Sequence, residues 1–171
     1  TVYSYLNNFR VTIGNILLYK GKGFEIMLKI ISGARISSCA RSLAVGQAAL
    51  DESIKYAKQR TRRGSPIATM MSIQSMIAEI ASRLEAARWL TYRTAFLREK
   101  GSDVLMESAM AKIFVTRMAK EVADMGLQIH GAYGFTRDFK IERIYRAAKE
   151  GEVVEGSSEI QRTVVASMLL A

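Results

Sequence analysis

With 171 residues, 49% of them hydrophobic, and a single proline, the chain can bury one good core and reads as one helix-rich folded domain, which excludes a disordered segment. A single cysteine, Cys39, excludes an intrachain disulfide, and with a single histidine, His130, it gives no metal-ligand spacing, so no metal site is expected. The formal charge of +9 fits acidic partners in general (nucleic acid, anionic lipid or a phosphate-rich small molecule) and equally fits a well-solvated basic surface. There is no zinc-finger spacing and no aromatic pattern of an RNA-binding sheet, so a dedicated nucleic-acid module is not indicated. No apolar run reaches the roughly 18 residues that span a bilayer, and residues 1–10 are too polar for a secretory signal. A soluble protein of the cytoplasm, or of the mitochondrial matrix in a eukaryote, is expected.

Residues 1–23 differ from the rest. Val11-Thr12-Ile13 and Ile16-Leu17-Leu18-Tyr19 are β-prone, separated by Gly14-Asn15 and followed by Gly21-Lys22-Gly23. They predict a hairpin or the tail of a sheet, and a two-strand piece needs partners elsewhere to be stable. Residues 24–60 predict one long amphipathic helix from the recurrence of Ile36, Ala40, Leu43, Leu50, Ile54 and Ala57. Gly33 and Gly46 each weaken it by about 1 kcal/mol against alanine, with a possible bend at Ser32-Gly33. The basic loop Arg60-Thr61-Arg62-Arg63-Gly64-Ser65-Pro66 ends it.

A second helix over residues 67–100 carries Met70, Ile73, Ile77, Ile80, Leu84 and Ala87 on one stripe, and Gly101-Ser102 stop it. A third, over residues 103–130, carries Ala111, Val115, Met118, Val122, Met125 and Ile129. Short links between long helices with apolar faces predict an all-α fold, an antiparallel four-helix bundle over residues 24–171. After Gly131 come an irregular section, a short helix near residues 141–149, and a last helix over 157–170. That helix is expected to turn Ile160, Val164, Met168 and Leu169 toward the bundle. The methionines read as core filler.

The chemistry concentrates in Val153-Val154-Glu155-Gly156-Ser157-Ser158-Glu159-Ile160-Gln161-Arg162. Two valines before Glu155 would keep water from its carboxylate and raise its pKa, making it a better acceptor for a carbon-bound proton. Gly156 lets backbone pass close to a ligand. Ser157 or Ser158 can cap the following helix, whose free N–H groups suit an anion such as a cofactor phosphate. On pattern alone, a glutamate ahead of a serine-capped helix is a solvated residue at a helix entrance. The decapeptide, however, resembles the Tyr-Glu-Gly-Thr-x-x-Ile-Gln-Arg signature near the C-terminus of acyl-CoA dehydrogenases, with Val154 for Tyr and Ser157 for Thr. The resemblance implies that Glu155 is the catalytic base, removing the α-proton of an acyl-CoA thioester while the β-hydrogen leaves as hydride to N5 of FAD.

Three more segments are similar to the same family. Arg60, Arg62 and Arg63 form the densest positive loop, which on its own reads as compensation of a helix dipole or as a phosphate site. The loop resembles the family's Arg-x-x-Phe-Gly-x-Pro, which implies that Arg60 reaches the FAD pyrophosphate of a neighbouring subunit, with Arg62 beside it. Arg63 stands in place of the Phe, and Met71 in place of a flavin-contacting Gln, with Gln74 one turn further on. Gln128-Ile129-His130-Gly131-Ala132-Tyr133-Gly134-Phe135 is similar to the turn that meets the adenosine half of FAD, with Ala132 replacing a glycine. It implies cofactor contacts at Gln128 and Gly131. His130 itself reads as a helix-end residue stabilised by the dipole, without a catalytic role. Ile141-Glu142-Arg143-Ile144-Tyr145-Arg146 resembles Val-Glu-Arg-x-x-Arg-Asp, but Ala147 replaces the Asp, so Arg146 loses a local partner. Arg35 matches an arginine bordering the family's active-site cavity or is a surface charge.

The resemblance runs from about Val11 to Leu170, and residues 1–23 resemble the family's passage out of its β-domain through Gly21-Lys22-Gly23-Phe24. Together these imply the C-terminal domain of an FAD-dependent acyl-CoA dehydrogenase, with FAD also at Ser157 and Ser158 and substrate at Arg35 and Gly156. An electron-transfer flavoprotein is the implied electron acceptor, and a homo-oligomer, dimer or tetramer, the implied assembly. The isolated domain is expected to be inactive. Two alternatives stand beside this. One is a non-dehydrogenating relative, a scaffold or nucleic-acid-associated flavoprotein, to which the +9 charge and the substitutions at Arg63, Met71, Ala132 and Ala147 point. The other is an acyl-CoA oxidase-like enzyme, distinguished by rapid reaction of reduced flavin with oxygen.

Overall fold

The computed structural model describes residues 3–17 and 19–171. Three long helices, α1 (Gly23–Gln59), α2 (Met71–Glu99) and α3 (Leu105–His130), run up, down and up, and two shorter ones, α4 (Lys140–Glu150) and α5 (Ser158–Leu170), pack against α3. α3 touches every other helix and is the axis of the bundle. A two-residue hairpin, β1 (Thr61–Arg62) and β2 (Ser65–Pro66), links α1 to α2. The all-α expectation holds, with helix bounds within a few residues of those read from periodicity.

The predicted stripes of α2 and α3 are the ones that pack. Ile73, Ile80, Leu84 and Ala87 are buried against Ala111, Val115, Met118, Val122 and Ile129, with Met70, Ile77 and Met125 at the margin. α1 differs. Ala40 is exposed and Ile36, Leu50 and Ile54 are only half-buried, whereas Ser38, Cys39, Ser42, Leu43, Gly46, Ala49, Ser53 and Ala57 form the buried face. That face follows residue size more than hydrophobicity, since small side chains let α3 approach closely with Ala119, Ala123 and Gly126 opposite. A Cβ on Gly126 would lie 2.8 Å from Ile141 Cδ1 and 2.9 Å from Ser53 Oγ. Ser53 and Thr116 satisfy their buried hydroxyls on the carbonyls one turn back, Ala49 O at 2.6 Å and Lys112 O at 2.7 Å. α1 is continuous through Gly33, and Gly46 serves packing, with Leu84 Cδ1 3.1 Å from where its Cβ would stand.

Two expectations fail at the termini of the chain. Among the described residues of 3–22 there is no strand; Ile13–Asn15 form a 3-10 turn, and Ile16, Leu17 and Tyr19 are exposed. Among the described residues the β-prone segments pair with no strand; Leu18 lies outside the described residues. In α5, Ile160, Met168 and Leu169 are exposed and Val164 is half-buried, while the residues turned fully inward are Ser158 and Gln161. The inward face is polar because it holds the turn that precedes it.

Candidate functional site

The turn between α4 and α5 carries Glu155, and its backbone is unusual. Glu155 has φ of +57° and Gly156 of +86°, two consecutive left-handed residues. A non-glycine residue in that region costs on the order of 1–2 kcal/mol and persists only where the surroundings impose it. Here they do. Lys112, fully buried on α3, donates from Nζ to Gly156 O at 2.7 Å and Gly151 O at 3.1 Å. Gln161, fully buried on α5, donates from Nε2 to Glu155 O and Gly156 O, both at 3.2 Å. Ser158 N donates to Glu152 O at 3.2 Å, and the Glu152 carboxylate pairs with Lys120 at 3.2 Å and with Lys149.

The side chains on this frame differ in part from expectation. Val153 is 62% exposed and Glu155 is exposed, so the two valines do not build a dry pocket in this chain; both lie in a surface turn. Ser157 occupies the N-cap position of α5, but its hydroxyl oxygen accepts no capping hydrogen bond, and Ser158 is buried. A Cβ on Gly156 would stand 2.6 Å from Gln161 Nε2, and its φ also favours glycine. Arg35 is no surface charge. It is 4% exposed, its Nε and Nη1 have no partner among the described residues, and burial pushes its pKa down. Lys112 lies within reach of its charge and of the Glu155 and Glu152 carboxylates; burial lowers the Lys112 pKa as well.

The other predicted cofactor residues meet at the far end of α1 and α3. Arg63 and Gly64, with φ of +52° and +81°, form the two-residue turn of the hairpin, as its right-handed twist requires. The Arg60 guanidinium lies 5.2 Å from the centroid of the Tyr133 ring. Arg60, Arg62, Ile129, Gly131 and Tyr133 line a cleft of about 430 Å³. Gln128 is exposed beside it, and Gly131 adopts φ +61°, ψ −142°, a conformation that glycine tolerates best. Met71 is 84% exposed, and Gln74 is engaged locally, donating to Ala68 O at 2.9 Å.

His130 is buried, and Nδ1 lies 2.7 Å from Gly126 O, which assigns the proton to that nitrogen. His130 does end α3, as expected, and burial pushes its pKa down. Arg146 keeps a partner despite Ala147, because Glu142, one turn back, is 3.3 Å away.

Residues 21–170 match the model of the acyl-CoA dehydrogenase C-terminal domain. The chain belongs to the acyl-CoA dehydrogenase family. This acyl-CoA dehydrogenase domain is 41% identical over 157 residues to acryloyl-CoA reductase (NADH) of Anaerotignum propionicum, covering 92% of the chain and 40% of that protein. It is 37% identical to the caffeyl-CoA reductase–Etf complex subunit CarC of Acetobacterium woodii, covering 96% of the chain and 44% of the relative. Among solved structures, a glutaryl-CoA dehydrogenase in complex with glutaryl-CoA superposes with a TM-score of 0.91 at 33% identity, over 97% of this chain and 42% of that one. The chain thus spans well under half the length of these relatives.

Within the acyl-CoA dehydrogenase domain the two groups of residues do not meet. From Lys112 beneath the Glu155 turn to His130 beside the Arg60 cleft, α3 rises about 27 Å at roughly 1.5 Å per residue. Two residues that organise the first group, Lys112 and Gln161, carry no role in the reading of the sequence. The signal for Lys112 was present, a lysine placed beside the apolar stripe between Ala111 and Val115 where a solvated cation has no room.

Proposed function

We propose that this chain is the C-terminal domain of an FAD-dependent acyl-CoA dehydrogenase, that residues 1–23 lead out of a preceding β-domain, and that Glu155 is the base taking the α-proton of an acyl-CoA thioester. The observation that carries this is the left-handed Glu155-Gly156 pair, held by buried donors and presenting an unpaired carboxylate. Strain of this kind collects where a side chain must be aimed. Glu155 is a hydrogen-bond acceptor when ionised and has no donor to displace among the described residues. Gly156 leaves the backbone beside it open to a thioester. Arg35 is buried, with Nε and Nη1 unpartnered among the described residues, as a group reserved for a ligand would be.

The donor set fits FAD. Arg60 and Arg62 offer guanidinium forks at the edge of the Gly131 cleft, suited to a pyrophosphate, and Gln128 and the Gly131 backbone are exposed there. Ser157, half-buried at the N-cap of α5, would hold the flavin on the side of Glu155, whereas Ser158 is turned inward. Bound FAD supplies the acceptor for the β-hydrogen as hydride. Since the two groups stand at opposite ends of α3, a flavin that meets both belongs between two copies of the chain, which supports a homo-oligomer. An electron-transfer flavoprotein as electron partner is supported by the Etf complex of the caffeyl-CoA reductase relative.

The acryloyl-CoA reductase relative supports a second direction for the same site. A protonated Glu155 would return a proton to the α-carbon of an α,β-unsaturated thioester, the reverse of the abstraction, with the hydride for the β-carbon to be supplied by reduced flavin. Anaerobic titration of the full-length flavoprotein with a series of acyl-CoAs tests the first reading by flavin absorbance. Bleaching by one chain length is expected. A yellow protein that no acyl-CoA bleaches, but that after chemical reduction is reoxidised by an enoyl-CoA, transfers the assignment to the reductase direction. A protein without flavin overturns both readings and favours a scaffold.

A further inference from the structure

We propose that Lys112 is a positioning residue for catalysis, clamping the turn that aims Glu155 by bridging the carbonyls of Gly151 and Gly156 from the core of the bundle. The inference rests on Glu155 being the base. Lys112 is 0% exposed, and no carboxylate oxygen among the described residues lies within 4.0 Å of its Nζ. A buried ammonium without a salt bridge is costly, and an apolar side chain would suit a helix face shared with Ala111 and Val115. What the ammonium obtains instead is two carbonyl acceptors, at 2.7 and 3.1 Å.

Those two carbonyls bracket the turn. Gly151 ends α4, and Gly156 directly follows Glu155. Neither carbonyl has a helical partner to bond, and both would be unsatisfied without Lys112, apart from the Gln161 amide shared at Gly156. Gln161 holds the Glu155 carbonyl in the same way. The peptide groups on the C-terminal side of Glu155 are therefore fixed by side chains from α3 and α5. The Glu155 carboxylate itself makes no hydrogen bond among the described residues, so its direction comes from the backbone alone. Space is tight at the other anchor, where a Cβ on Gly151 would lie 2.9 Å from Ser42 Oγ.

The experiment uses the full-length flavoprotein carrying Lys112→Met, Lys112→Gln, or Glu155→Gln, read by rapid-mixing flavin reduction and by amide hydrogen exchange. Both Lys112 variants are expected to lose about 100-fold in the limiting reduction rate, the scale of a small misplacement of a reacting group. Half-saturation by acyl-CoA is expected to stay within about threefold, since binding is not what the clamp supplies. Flavin content should be retained, and exchange should quicken over residues 151–157 but not in α1 or α2. Reduction within about threefold of the unmodified enzyme overturns the proposal, as does a loss confined to half-saturation. Unchanged exchange over residues 151–157 overturns it too. Loss of flavin and helix content together in both variants also overturns it, because Lys112 would then serve the fold as a whole. If Glu155→Gln reduces flavin normally, the base assignment falls, while the exchange data still decide whether Lys112 holds the turn.

Discussion

The rings of Tyr56 and His130 stack with centroids 4.1 Å apart, and the Tyr56 hydroxyl donates to the His130 carbonyl at 3.3 Å. Phe139 meets both rings edge-on. This contact joins the last turn of α1 to the last turn of α3. It thereby sets the Arg60 hairpin beside Gly131, although the two segments are far apart in the chain.

Stability should depend on pH through His130. Its folded pKa lies below the ordinary value near 6.5, with burial as the main cause, so the unfolded chain binds the proton more readily. The neutral ring's contribution is complete above about pH 6.5 and is lost as the pH falls from there through the folded-state value. Urea unfolding between pH 5 and 8 should show a midpoint falling toward acid, with a shallower fall in His130→Gln. Equal slopes for the two proteins would remove His130 as the cause.

On the proposed function, Glu155→Gln should retain flavin and lose reduction by acyl-CoA by about 100- to 10,000-fold, the usual range for a general base. Stopped-flow absorbance of the anaerobic full-length protein measures it.

Arg60→Ala should weaken FAD retention by about 10- to 100-fold, the loss of one charge-assisted hydrogen bond. Dialysis against graded FAD, followed by flavin fluorescence, would read the change. Retention equal to that of the unmodified protein would place the pyrophosphate elsewhere.

The close approach of α1, α3 and α4 gives a stability prediction. Gly126→Ala puts a methyl group 2.8 Å from Ile141 Cδ1 and 2.9 Å from Ser53 Oγ. A loss of about 1–3 kcal/mol in urea unfolding is expected from overpacking. Gly14→Ala, with nothing within 4 Å of the added methyl, should change stability by less than about 0.5 kcal/mol.

Cys39 is fully buried, and burial pushes its thiol up to about 12. It should therefore resist an aromatic disulfide reagent at about pH 8 in the folded protein and react with one equivalent in denaturant. Rapid reaction without denaturant would show α1 opening locally.

By itself the sequence determined the helices and marked the candidate site. Apolar spacing in α2 and α3 marked the residues that are buried, because each long side chain on those faces has a partner only inward. Gly101, Gly131 and Pro66 marked the breaks, because their backbone preferences act locally. The Glu155 motif was legible for the same reason, as a run of adjacent residues whose identities do not depend on folding.

Tertiary structure decided what depends on distance between segments. α1 packs through serines, glycine and alanines, since closeness to α3 there outweighs hydrophobicity; periodicity of apolar residues pointed to Ala40, which is exposed. Ile160, Met168 and Leu169 remain exposed because the inward face of α5 is the one that carries Gln161, which holds the Glu155 turn, and the buried Ser158. Lys112 reads as an ordinary lysine until the fold brings Gly151 and Gly156 to its ammonium. The length of α3 likewise separates the Arg60 cleft from Glu155, a distance no motif spacing contains, because it arises from the rise of one straight helix between two turns.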